Sequence, residues 1–388
     1  MEENSPEPAY RIKLRKLLYR GPDKYKFSIP QLFLMAIGKA FVVLFIGLLM
    51  FLCVEYASRI ILPHKGGFDL GFDAGLTRHP FPFIMFKGKP NSLVGADQTP
   101  INVLGYRGPA PELEKDSSEF RIFILGGSTV FNGDPPLPQL VEQLFHKEGH
   151  TFVRVFNFGV VASNANMEMA RVMYEVSSFQ PDLIVFYNGG NDMATPFYAD
   201  PRPGYPTNFF VYQHNPYFKP AKDYPGLTLL AYNSNLFRLL LARQFSNRLA
   251  NFEKLRQEAG YNTDAWRDEI AESYLSTLQK TQAVSKAFGA EFITIFQPLI
   301  FYKDQLSPEE MEDPNLDARG HHLYLRERMR SLAKACGDKL NFQDLSDFFD
   351  DRPEQVFTDF IHITQEARGI MAAELVRQLN PYLSPKSE

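Results

Sequence analysis

Between residues 120 and 347 the chain repeats one pattern: a short, almost continuous apolar run, then a stretch of helical periodicity. The runs are "FRIFILGG" (120–127), "VRVFNFG" (153–159), "DLIVFYNGG" (182–190), "EFITIFQP" (291–298) and "LNFQDLSD" (340–347). A strand with one wet face alternates apolar and polar residues. Runs without that alternation need cover on both faces, as strands of a buried parallel sheet do. The helical stretches fall at about 137–148, 165–179, 236–258, 264–288, 320–336 and 363–379. Strand alternating with helix predicts a doubly wound α/β sheet. In such sheets ligands bind at the carboxyl ends of the strands, so chemistry is sought there.

A second feature precedes this pattern. Leu32 to Val54 is a 23-residue stretch whose only charge is Lys39. As a helix it is long enough to cross about 30 Å of hydrocarbon. Arg11, Lys13, Arg15, Lys16, Arg20, Lys24 and Lys26 stand before it, opposed between residues 10 and 26 only by Asp23. The positive-inside rule then puts the N-terminus in the cytoplasm and the rest across the membrane. The apolar region is longer than a cleaved signal peptide wants, and no small-x-small cleavage site follows. The expectation is an uncleaved signal anchor over 32–54, after a basic cytoplasmic tail over 1–31. The segment "YRIKLRKLLYR" also has the composition of a basic helix on a membrane surface, although a topology signal explains it equally.

Residues 55–119 are rich in Gly and Pro and read as a tether with short β pieces. The α/β domain is expected over 120–388, with an insertion at about 193–290. The first part of that insertion, Phe197 to Gly226, holds six prolines and nine Phe or Tyr residues. Loops of this length are often functional. The rings suit either a substrate platform or packing of the loop onto the domain. A net charge of -4 gives no basic field for nucleic acid. Two cysteines form no metal spacing, and there is no P-loop and no GxGxxG after a strand, so neither metal nor cofactor is expected.

The first run ends in Gly126 and Gly127, followed by Ser128. A serine hydroxyl is a weak nucleophile until a base takes its proton. Of eight histidines, His321 and His322 read as solvated residues ahead of a charged helix, and most others as surface residues. His362 differs. It lies in "FTDFIHITQEARG", three residues after Asp359, where a tight turn would let the carboxylate orient the imidazole. Thr364 is a plausible N-cap for the last helix. Runs two and three end in "NFGVV" and "NGGNDM". Gly159 there offers a backbone N–H and Asn191 a side-chain amide, the donors an oxyanion needs beside the N–H of Ser128. Taken singly, each stretch is also an ordinary turn.

Taken in order, "GGST", "NFG", "GGND" and "DFIH" resemble the four blocks of the SGNH hydrolases, the GDSL lipase/acylhydrolase superfamily. The resemblance spans about residues 120–380. It implies a flavodoxin-like three-layer α/β/α sandwich with a five-stranded parallel sheet, here preceded by one transmembrane helix. It implies Ser128 as nucleophile, His362 as base, Asp359 as its orienter, and Gly159 and Asn191 as oxyanion donors. "INVLGYRG" is similar to a segment ahead of the catalytic block in some membrane-anchored members. The chain departs from the family at Gly127, where the family has Asp, at Thr129, where it has Leu, and at Ala162, where a second Gly would follow. Asp192 reads as structural. Gln297 and Thr129 are candidate substrate contacts, though ending a strand is the plainer role for Gln297.

The expected activity is that of a membrane-anchored serine esterase with a domain outside the cytoplasm, in the periplasm if the membrane is a bacterial inner one. Its partners would be the bilayer, through Leu32–Val54, and an ester-bearing glycan or lipid. An O-acyl group on carbohydrate is the leading substrate. Three readings compete with it: an O-acyltransferase acting on envelope or exported polysaccharide, a lipid esterase or thioesterase, and a non-catalytic anchored scaffold.

Overall fold

The five apolar runs form one parallel sheet in the computed structural model, which describes residues 28–61, 79–94, 98–207, 209, 234–237 and 252–383. Four short strands come first: β1 (His79–Phe81), β2 (Met85–Lys87), β3 (Leu93–Val94) and β4 (Thr99–Pro100). The sheet is built from β5 (Phe120–Gly126), β6 (Val153–Gly159), β7 (Leu183–Asn188), β8 (Glu291–Phe296) and β9 (Phe342–Asp344), in the order β6-β5-β7-β8-β9. Every pairing in it is parallel. All six residues of β7 and six of the seven in β5 are buried, which is why their sequences do not alternate. The order is that of a flavodoxin-like sheet. After β5 the chain steps to one side, and after β7 to the other, so a crevice opens where β5 and β7 end.

Helices cover both faces. α3 (Leu137–Lys147) pairs with α9 (Gln365–Leu379), while α7 (Asp264–Ala287) packs on α4 (Ala165–Tyr174) and α8 (Arg319–Cys336). Between these lie a one-turn helix α2 (Ser128–Phe131), α5 (Gly190–Tyr198) and α6 (Phe252–Glu258). The starts of the long helices are built as their residues suggest. Asn164, Thr263 and Thr364 each accept the N–H three residues on with their side chains. The helix expected at 165–179 is broken: α4 ends at Tyr174 and a 3₁₀ turn, Val176–Phe179, follows.

One expectation from the sequence needs correction. His321 and His322 are not solvated but lie buried in the first turn of α8. The His322 ring stacks on Phe301 with centroids 4.0 Å apart. Burial holds His322 well below the usual imidazole range and pulls His321 down to about 4. Residues 79–107 contain the four short strands and lie in the same compact unit as the sheet. Lys87 and Tyr106, both buried, reach Glu175 at the end of α4.

A separate unit comprises residues 28–61 together with Ser234–Leu236. Its helix α1 (Ile29–Ile61) runs past both ends of the expected 32–54 span. Its 33 residues reach a mean hydropathy of 2.6 over the most apolar stretch and are long enough to cross a membrane. That is compatible with membrane anchoring. Within this unit Glu55 accepts hydrogen bonds from Ser234 Oγ at 2.7 Å and from the N–H groups of Asn235 and Leu236 at 2.8 and 3.0 Å. The basic tail over 1–27, "YRIKLRKLLYR", most of the aromatic loop from 208 onward and most of the 236–251 helical stretch lie outside the described residues.

Candidate active site

Glycines make room for the site at the strand ends. Gly126 pairs with Gly159 on one side and Tyr187 on the other. A Cβ on Gly126 would stand 2.4 Å from the Tyr187 carbonyl oxygen, and one on Gly159 would stand 2.6 Å from the Phe131 nitrogen. Without side chains there, α2 lies directly over the ends of β5 and β6. Ser128 is its first residue and is 8% exposed.

The side chains expected from far apart in sequence meet here. Ser128 Oγ lies 2.7 Å from His362 Nε2, and His362 Nδ1 lies 2.6 Å from Asp359 Oδ2. The other carboxylate oxygen, Asp359 Oδ1, accepts the N–H groups of Ile361 and His362 at 2.9 and 2.8 Å. Asp359 therefore closes its own turn and holds the imidazole at once. The turn sits on a bridge between Phe357 and Ile363, and Thr358 N–H donates to the His362 carbonyl at 2.8 Å. Burial opposes ionisation of Asp359, but the bonds from the His362 ring and from two N–H groups outweigh it and hold its pKa below the usual carboxylate range. A neutral imidazole donating Nδ1–H to that carboxylate presents an unprotonated Nε2 to the hydroxyl of Ser128.

Asn191, in the first turn of α5 at the end of β7, donates its amide to the Ser163 carbonyl at 2.7 Å. Its Nδ2 stands 2.3 Å from where a Cβ on Gly127 would be, so the amide lies against the backbone that precedes Ser128. Gly159, expected to offer its N–H, is buried beneath α2, and that N–H donates to the Asn157 side chain at 2.9 Å. Three residues on, Ala162 is half-exposed and holds a left-handed backbone with φ of 61°, a conformation that non-glycine residues adopt at a cost of about 1–3 kcal/mol. It adjoins Ser163, the acceptor of the Asn191 amide.

Beneath this surface lies a polar network that sequence reasoning missed. Glu168 accepts from the Asn188 amide and from Ser163 Oγ, Tyr274 donates to Asn188 Oδ1 at 2.6 Å, and Arg171 donates to Ser163 Oγ at 2.9 Å. Asp192 accepts the Ala165 N–H at 3.0 Å, the structural bond to nearby backbone that its position suggested. Burial pushes Glu168 up to about 7. Burial, together with the charge of Glu168, pushes Asp192 up to about 8. Glu168 and Arg171, three apart on a helix, have the spacing of a surface ion pair, and nothing in the sequence marks them as buried. Thr129 Oγ1 donates to Gln297 Oε1 at 3.3 Å, and Gln297 is 2% exposed, so it lies in the floor of the site. Among the described residues no cluster of three or more His, Cys, Asp or Glu side chains is arranged to hold a metal ion.

The sequence profile of the GDSL-like Lipase/Acylhydrolase family matches residues 122–375. No curated protein matches the chain. Solved structures that it resembles include a GDSL-like lipase from Bacteroides thetaiotaomicron, at 15% identity over 69% of this chain and 92% of that one, with a TM-score of 0.37. The lipase/acylhydrolase from Enterococcus faecalis is 16% identical over 69% of this chain and 100% of its own, with a TM-score of 0.38. An acetylxylan esterase from Geobacillus stearothermophilus is 14% identical over 69% and 97%, with a TM-score of 0.37.

Proposed function

The chain belongs to the GDSL-like lipase/acylhydrolase family and is a serine ester hydrolase; on that premise we propose that Ser128, His362 and Asp359 carry its reaction. His362 Nε2 takes the hydroxyl proton as Ser128 Oγ bonds to the ester carbonyl carbon. The oxyanion that forms is held by the N–H groups of Ser128 and Ala162 and by the Asn191 amide. The imidazolium, stabilised by Asp359, then gives its proton to the departing alcohol as the carbon–oxygen bond breaks. His362 then deprotonates a water that attacks the acyl carbonyl; the bond to Ser128 Oγ breaks, His362 returns the proton to that oxygen, and the acid leaves. The observation that carries this reading is the continuous chain Ser128–His362–Asp359, at 2.7 and 2.6 Å.

The substrate we propose is a small O-acyl group, acetyl above all, on a carbohydrate. We also propose that Leu32–Val54 spans the membrane with the basic tail in the cytoplasm and the hydrolase on the other side, near envelope glycans.

The test uses the full-length chain in detergent, as wild type, Ser128→Ala and Asn191→Ala. A fluorophosphonate should label the wild type and not Ser128→Ala. Nitrophenyl acetate should be cleaved faster than butyrate or octanoate, and acetate should be released from acetylated xylan. Asn191→Ala should lose about 10²–10³ in kcat while keeping its fold. A folded wild type that takes no label would end the serine mechanism, and a preference for octanoate would end the acetyl assignment.

A further inference from the structure

The segment "INVLGYRG" (101–108) lies upstream of the family match, which begins at residue 122, and the reaction just described gives it no part. Its residues build one object. Asn102 Oδ1 accepts the N–H groups of Leu104 and Tyr106 at 2.9 and 3.1 Å, and its Nδ2 donates to the Gly108 carbonyl at 3.1 Å. Gly105 has φ of 92° and passes so close to Gly88 that a Cβ on it would stand 2.4 Å from the Gly88 carbonyl oxygen. Tyr106 is fully buried, stacked on Phe158 with centroids 4.1 Å apart. With the turn closed by Asn102 and moored by Tyr106, the next side chain, Arg107, extends to the helix that begins at Ser128. Its Nη1 donates to the Phe131 carbonyl at 2.9 Å and to the Gly133 carbonyl at 2.6 Å.

Those bonds matter because α2 has four residues. A single helical turn does not hold itself, and its last carbonyls need partners from outside. The Ser128 carbonyl accepts the Asn132 N–H at 2.7 Å, and the Val130 carbonyl accepts the Asn157 amide at 3.1 Å. Arg107 holds the last of them, the Phe131 carbonyl, and with it the Gly133 carbonyl just beyond the helix. Asn132, between the two carbonyls that Arg107 holds, has its amide nitrogen 3.5 Å from His362 Nε2. From the other side, the Arg368 guanidinium fills the space where a Cβ on Gly133 would be, 2.3 Å away. A shift of residues 131–133 therefore reaches both Ser128 and the ring that faces it.

We infer that Arg107 is a positioning residue of the active site, fixing the far end of the Ser128 helix and so the approach of Ser128 to His362. The catalytic unit of this chain thus begins upstream of the family match. The inference rests on the reading of Ser128 as nucleophile.

The test compares Arg107→Gln, Arg107→Lys and Tyr106→Phe in the full-length chain in detergent. The readouts are the rate of fluorophosphonate labelling, kcat and KM for nitrophenyl acetate, the melting temperature, and hydrogen exchange over residues 128–137. Arg107→Gln should slow labelling and kcat by about 10- to 100-fold, as expected for a misplacement near 1 Å, and leave KM nearly unchanged. Its exchange should quicken over 128–137 and nowhere else. Lysine keeps the charge without the planar fork and should restore part of the rate. Tyr106→Phe removes the bond to Glu175 and should lower the melting temperature without slowing labelling. Wild-type labelling in Arg107→Gln would overturn the inference. So would a loss of labelling in Tyr106→Phe as large, for the same fall in melting temperature, as that in Arg107→Gln. If the glutamine variant does not fold, the lysine variant decides, and one that matches wild type in labelling and exchange overturns the inference. If the wild type itself takes no label, the serine reading fails. The exchange comparison then still decides whether Arg107 holds the helix.

Discussion

Replacing Gly127 by alanine separates activity from stability in this site. The added Cβ would stand 2.3 Å from Asn191 Nδ2, whereas ordinary contact begins at 3.4 Å, so the amide must retreat by about 1.1 Å. The retreat is mechanically easy, because the obstacle is the tip of a side chain. The melting temperature should therefore move by no more than roughly 4 °C, the equivalent of about 1 kcal/mol in a domain of this size. The catalytic cost is larger. A donor aimed at the oxyanion acts only if it is in place, and a 1 Å misplacement costs on the order of 10²-fold, or about 2.7 kcal/mol of barrier. Gly127→Asp, which restores the residue common in the family, should do at least as much harm, since it adds a carboxylate beside the developing negative charge. The assay is kcat for nitrophenyl acetate, normalised to fluorophosphonate-reactive sites and read beside the melting temperature. An alanine variant that turns over at the wild-type rate would refute both the placement of the Asn191 amide and its role. One that unfolds would refute the claim that the amide yields easily.

Three further outcomes are expected. Ala162→Gly should raise the melting temperature by a few degrees and leave kcat unchanged, because glycine takes the left-handed backbone at φ 61° without strain; a lower melting temperature would contradict that backbone. Asp192, raised to about 8 in the folded protein against about 3.9 unfolded, lends stability that is complete below about pH 4 and lost as pH rises through 8. Asp192→Asn should flatten that decline in thermal melts from pH 5 to 8.5, and equal slopes would refute the shift. His322 is held well below the unfolded value of about 6.5, so the unfolded chain takes its proton first and stability falls as pH drops beneath that value. His322→Phe should be stabilised relative to wild type more at pH 5 than at pH 7.5, and a constant difference would refute the burial of a neutral ring.

The sheet was legible because strands buried on both faces write themselves as unbroken apolar runs, and Thr364 announced the last helix by its capping chemistry. Asp359 and His362 could be paired because both lie in one short loop, where three residues of spacing nearly determine the geometry. The proposed oxyanion donors were harder. Whether the Gly159 N–H is free depends on the Asn157 side chain turning back upon it, and Ala162 is singled out by a backbone angle that composition does not encode. Glu168 and Arg171 are the only charges of α4, three apart, and His321 and His322 open a charged helix, so local pattern assigns all four to water. Only tertiary packing buries them, α4 between the sheet and α7, and the first turn of α8 against Phe301, Trp266 and α5. Arg107 reaches across 24 and 26 residues of chain, and its partners are carbonyl groups, which no sequence motif can name.

The bare strand ends have a consequence for anyone wishing to transplant this chemistry. Gly126 and Gly159 stand side by side in register, and each leaves less than 3 Å between an added methyl group and backbone atoms. A designer who copied Ser128, His362 and Asp359 onto another flavodoxin-like sheet would find the serine perched above two side chains, too far out to meet its base. The recipient sheet must first be stripped to backbone on two neighbouring strands, at their last residues. The hydrolase is thus defined as much by atoms its scaffold omits as by those that react.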